Sequence, residues 1–83
     1  MRVTVLYFAA ARERAGRDRE SLDLPEGATA GQAKARLLEL HPSLAPIAPH
    51  LRLAVDKAFA GDAVVLEEGA EVALIPPVSG GRA

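Results

Sequence analysis

The stretch from Thr29 to His41 constrains this chain most. Thr29-Ala30-Gly31-Gln32 has the pattern of a capping box, with Thr29 at the N-cap and Gln32 reaching back. Ala30, Ala33, Leu37, Leu40 and Leu44 recur at helical spacing on one stripe, and Lys34 and Glu39 lie off it. Pro42 ends the helix, because the residue before a proline avoids the helical region. The segments around it alternate with a period of two. One main amphipathic helix against several alternating segments gives two layers, a sheet with one covered face and one open face.

The alternation places the strands. Arg2 to Phe8 puts Val3, Val5 and Tyr7 on one face, and Arg2, Thr4, Leu6 and Phe8 on the other. Ala9 to Ala15 is built from helix formers and stops at Gly16. Glu20 to Leu24 alternates with Leu22 and Leu24 inward, and Pro25-Glu26-Gly27 turns the chain. Pro46 to Pro49 reads as an irregular connection. Leu51, Leu53 and Val55 mark a third strand. Lys57 to Asp62 reads as a short hairpin region with a turn at Gly61-Asp62, and Ala63 to Leu66 as a brief strand. Glu71 to Ile75 is the last strand, with Val72 and Leu74 inward. The first and last strands are expected to be neighbours at the sheet centre. This reading makes residues 1–75 one α+β domain and residues 76–83 an extended tail.

Bulk properties remove several function classes. The formal net charge of the 83 residues is -1 with both signs interspersed, so no basic block exists to neutralise nucleic-acid phosphates. No apolar run is long enough to span a bilayer and no signal peptide is read, which makes the cytoplasm the expected location. With no cysteine there is no disulfide frame, thiolate nucleophile or thiolate metal site. His41 and His50 each neighbour a proline and are expected at the surface, with no third ligand spaced to form a metal site. No nucleophile–base pair stands out, so the chain does not read as an independent catalyst.

Two features remain. On the open face, polar Arg2, Thr4, Ser21, Asp23, Arg52, Asp56 and Glu71 are interrupted by Phe8 and Ile75, with Phe59 in the nearby hairpin. If Phe8, Phe59 and Ile75 cluster, they form an apolar patch of the kind that marks a partner surface; the alternative is a small satellite core under the 57–63 loop. The second feature is the ending Pro76-Pro77-Val78-Ser79-Gly80-Gly81 before Arg82-Ala83. The prolines favour an extended stem. Ser79 is small, and Gly80 and Gly81 lack the Cβ that a narrow slot would reject. Such a tail suits threading into a partner's active site.

Val5-Leu6-Tyr7-Phe8-Ala9-Ala10-Ala11-Arg12-Glu13 and Gly69-Ala70-Glu71-Val72-Ala73-Leu74-Ile75-Pro76-Pro77-Val78-Ser79-Gly80-Gly81 together resemble the small subunit of molybdopterin synthase (MoaD-type), a family of ubiquitin-like sulfur carriers. The resemblance implies a β-grasp fold. It also implies a mechanism. An adenylating enzyme akin to ubiquitin-activating enzymes uses ATP and Mg to activate the carboxylate of Gly81, and a sulfur donor protein converts it to a thiocarboxylate. The tail then enters the large subunit, within an expected heterotetramer, and its sulfur builds the dithiolene of molybdopterin in molybdenum cofactor biosynthesis. No cofactor bound to the carrier itself is implied. Phe8, Phe59 and Ile75 fall on the family's apolar contact surface.

Three positions depart from the family pattern: Asp56 stands where asparagine is common, Ala70 replaces an acidic turn residue, and Arg82-Ala83 follow the second glycine. Activation at Gly81 would need Arg82 and Ala83 trimmed first, as ubiquitin-like precursors are matured; a non-functional paralogue or a carrier used differently stays open beside it. Three alternatives stay open: a ubiquitin-like protein modifier, a thiamine-type sulfur carrier, and a β-grasp interaction domain with an inert tail.

Overall fold

The computed structural model describes residues 1–77. In chain order these form β1 (Arg2–Tyr7), α1 (Ala9–Ala15), β2 (Arg19–Asp23), α2 (Ala30–Leu40), a 3-10 helix (Pro42–His50), β3 (Arg52–Val55), β4 (Ala58–Ala60) and β5 (Glu71–Ile75). The five strands make one mixed sheet in the order β2-β1-β5-β3-β4. β1 and β5 run parallel at its centre, and the β1–β2, β5–β3 and β3–β4 pairs are antiparallel. This is the ubiquitin-like β-grasp, an α+β fold.

The core lies between α2 and one face of the sheet. Val3, Val5, Leu22, Leu53, Val72 and Leu74 meet Ala33 and Leu37 there, all buried. Each fully buried aliphatic side chain contributes about 1.5–3 kcal/mol relative to exposure. The capping box of α2 is complete: the Thr29 side chain accepts from the Gln32 amide at 3.2 Å, and the Gln32 side chain accepts from the Thr29 amide at 2.8 Å. Two further donors at the helix start are taken by the incoming loop, Ala30 N–H by the Val64 carbonyl at 2.8 Å and Gly31 N–H by the Asp62 carbonyl at 3.0 Å. The crossing of α2 is thereby pinned at its N-terminus by backbone from far along the chain.

Five local expectations are corrected. Leu40 does not join the core stripe; it is 43 % exposed, while Ala30, Ala33 and Leu37 are buried as expected, Leu38 packs partly against the core, and His41 turns inward as the C-cap with a non-helical backbone. His41 is therefore not a surface residue. Its side chain is 16 % exposed and its ring meets Tyr7 edge-on at 5.9 Å. The Pro46–Pro49 connection is part of the 3-10 helix, because Pro42, Pro46 and Pro49 need donate no N–H and their fixed φ suits that turn. It still delivers Leu44 to the core, fully buried. The hairpin reverses earlier, at Asp56-Lys57, both with positive φ, while the turn expected at Gly61-Asp62 is present and closed by Val64 N–H to the Gly61 carbonyl at 3.2 Å. Ala63–Leu66 pairs through one bridge, Thr29 with Val65, and forms no strand.

Candidate functional site

β5 carries the root of the tail. It is held on both sides, by β1 through the pairs Thr4–Glu71 to Tyr7–Leu74 and by β3 through Arg52–Ile75 to Val55–Val72. A tail leaving a central strand is anchored by two ladders, so its root has a defined position and direction. Ile75 and Pro76 are half-buried and Pro77 is exposed. Val78, Ser79, Gly80 and Gly81, together with Arg82 and Ala83, lie outside the described residues.

On the sheet face opposite α2, the structure brings Phe8, Phe59 and Ile75 together around one groove of about 260 Å³. Phe59 is 62 % exposed and Phe8 is 45 % exposed, so they do not form a satellite core beneath the 57–63 loop. The register explains the grouping. Leu6, Ala73 and Ala54 lie side by side on β1, β5 and β3, and Ala54 is paired with Phe59 on β4. Two alanines at the centre leave a depression, and the larger side chains wall it.

Leu6, Ala54, Ala73 and Lys57 also line the groove and were not singled out from the sequence. Leu6 was legible as an outward apolar residue. The alanines became groove floor only through strand register. The open face carries charged side chains at both ends, with Lys57 beside Glu71 and Asp56 at one of them. Arg52 lies in the row of Ile75 where the tail departs, with its guanidinium 4.1 Å from the centre of the Phe59 ring. Glu71 and Asp56 lie at the other end, where the Asp56 carboxylate accepts from the Glu71 amide at 3.0 Å.

A second polar cluster sits on the covered side. Glu20 Oε1 accepts from the Tyr7 hydroxyl and lies 2.5 Å from His41 Nε2, while Arg17 approaches Oε2 at 3.4 Å. Partial burial alone would raise the Glu20 carboxyl. The hydrogen bonds from Tyr7 and His41, with the charges of His41 and Arg17, outweigh it and hold that group below its ordinary value. Burial, reinforced by Glu20, pushes the Tyr7 hydroxyl up. This cluster ties β1, β2 and the end of α2 together, away from the groove.

The sequence model of the ThiS family matches residues 5–81. The chain belongs to the ThiS family. The ThiS match starts in β1, spans the groove residues and ends on Gly81. Within reach of this family, the chain is 36% identical over 83 residues to the molybdopterin synthase sulfur carrier subunit of Chlamydomonas reinhardtii, with 98% of this chain and 100% of that protein covered. It is 41% identical over 85 residues to the protein of the same name from Drosophila yakuba, covering 95% and 90% of the two chains. Among solved structures it is similar to SAMP1, the small archaeal modifier protein 1 of Haloferax volcanii, at a TM-score of 0.88 and 29% identity over 98% of this chain and 100% of that one. Among the described residues no helix is long and apolar enough to cross a membrane.

Proposed function

We propose that this chain is the sulfur-carrier small subunit of a molybdopterin synthase, working through the carboxylate of Gly81. The observation that carries this reading is the ThiS match through the Gly80-Gly81 pair, together with relatives of matching length named molybdopterin synthase sulfur carrier subunits. The Gly81 carboxylate displaces pyrophosphate from ATP, held with Mg in an adenylating enzyme, to form an acyl adenylate. Sulfide-level sulfur supplied by a sulfur donor protein then attacks the acyl carbon, forming the C–S bond of a thiocarboxylate as the C–O bond to the leaving AMP breaks. The large subunit receives the tail, and the sulfur passes to the cyclic pyranopterin precursor. Neither step draws on a side chain of the carrier, which supplies position: a rigid root, a proline stem and a tip without Cβ atoms. The groove of Phe8, Phe59 and Ile75 docks the partners, and the cytoplasm is where the reaction takes place.

Arg82 and Ala83 are removed before activation. A tail that ends in a slot at Gly81 would otherwise bury the Arg82 cation without a partner, at a cost of several kcal/mol. The test is reconstitution with adenylating enzyme, ATP, Mg and sulfur donor. The chain ending at Gly81 should gain the mass of one sulfur in place of one oxygen and then support dithiolene formation. The chain ending at Ala83 and the Gly81→Val variant should do neither. Equal activity of the untrimmed chain, with Arg82 and Ala83 still present by mass, would rule trimming out.

A second reading, a protein modifier, is favoured by the similarity to the Haloferax SAMP1 structure. It expects covalent adducts between this chain and lysines of other proteins in the native host. Their presence, without any thiocarboxylate form, would replace the carrier reading.

A further inference from the structure

The open face combines an apolar groove with a cation, Arg52, stacked on one of its walls, Phe59. Arg52 lies in register with Ile75, at the last residue before the tail's proline stem. Its guanidinium is stacked on the Phe59 ring, 4.1 Å from the centroid. Stacking covers one flat face of the guanidinium and leaves its N–H edge open. Among the described residues Arg52 makes no ion pair or side-chain hydrogen bond, in contrast to Arg2, Arg12, Arg17 and Arg36. It is exposed, and the stack on Phe59 leaves its charge uncompensated among the described residues.

A partner that covers Phe59 must also cover Arg52, because the two side chains lie one on the other. Removing that cation from water without a counter-charge would cost more than the apolar contact returns. The surrounding groove is apolar, which suits a protein surface better than a free anion. We infer that the partner protein seated on this groove presents an aspartate or glutamate to Arg52, in a paired two-oxygen contact beside the entrance through which the tail passes. This inference rests on the carrier reading above, which supplies the large subunit as the partner. The stack places the guanidinium beside Ile75 and the tail root, so the contact sets the rotational register of the carrier on its partner.

The experiment is calorimetric titration of the full chain, and of its Arg52→Gln and Arg52→Lys variants, into the cognate large subunit, with melting curves of each. Both substitutions should leave the melting curve unchanged, since the residue is exposed and unpaired within the described fold. Arg52→Gln should weaken binding by about 10-fold or more. Arg52→Lys should weaken it comparably, because an ammonium keeps the charge but loses the planar fork and the stack. Arg52→Glu should be rescued by changing one acidic residue of the large subunit to lysine. If the unsubstituted chain fails to bind the large subunit, the carrier reading falls and this inference with it. If it binds and both variants bind equally well, the carrier reading stands and the carboxylate contact is wrong. Loss with glutamine but not with lysine would overturn the paired geometry.

Discussion

Gly31 is a position where two opposing residue-scale effects can be weighed. Alanine in place of glycine inside a helix is favoured by about 1 kcal/mol. Here the added Cβ would stand 2.8 Å from Asp62 Cβ and 3.2 Å from the Asp62 carbonyl oxygen, whose hydrogen bond holds the helix start. Such overpacking costs about 1–3 kcal/mol. Gly31→Ala should therefore lower stability by about 1 kcal/mol in denaturant titration, and a Tm rise would contradict the close approach. Lys57 is the converse. It sits at φ 74, in the left-handed region, beside Asp56 at φ 50. A two-residue hairpin turn of this kind prefers glycine second. Lys57→Gly should raise stability by about 0.5 kcal/mol, the relief of left-handed strain exceeding the added freedom of the unfolded chain. Asp56 fits the same geometry: it tolerates positive φ as asparagine does, and its Oδ1 accepts from the Glu71 amide, a bond that an asparagine oxygen could equally accept.

At the scale of elements, α2 was the most legible. Its capping box was readable because both partners lie within four residues, and Thr29→Ala should cost about 1 kcal/mol by urea unfolding, with no effect on groove binding. The end of α2 was less legible. Leu40 and His41 compete for one side, and His41 turns inward because Glu20 and Tyr7, from two strands, wait there to satisfy its ring. Spacing along a helix contains no record of such partners. The 3-10 helix was missed for a related reason. Its three prolines read locally as breakers, yet they leave no unmet N–H in a turn that packs on α1 and α2 and buries Leu44 in the core.

At the scale of the molecule, the Glu20 cluster couples stability to pH. Glu20 is held below its ordinary value of 4.5, so it stabilises the fold above that value, and the contribution is lost as pH falls through the lower folded-state value. Tyr7 is raised above 10.0, so its contribution is intact below pH 10.0 and is lost as pH rises beyond it. Thermal melts across pH should show both flanks, and Glu20→Gln should flatten the acid one. The groove is separable from this core: Phe59→Asp should weaken partner binding by about 2 kcal/mol or more while leaving the melting curve near the original. The sequence by itself determined the covered face, the capped helix and the character of the glycine-tipped ending, because alternation, capping and backbone freedom are local properties; the central pairing of the two end strands was an expectation that the sheet register decided. Only tertiary structure decided that Ala54 and Ala73 floor a groove, that Arg52 lies on Phe59, and that His41 is enclosed rather than exposed. Each of these depends on register between strands distant in the chain, or on a polar partner supplied by another element, and neither is encoded in the spacing of neighbours.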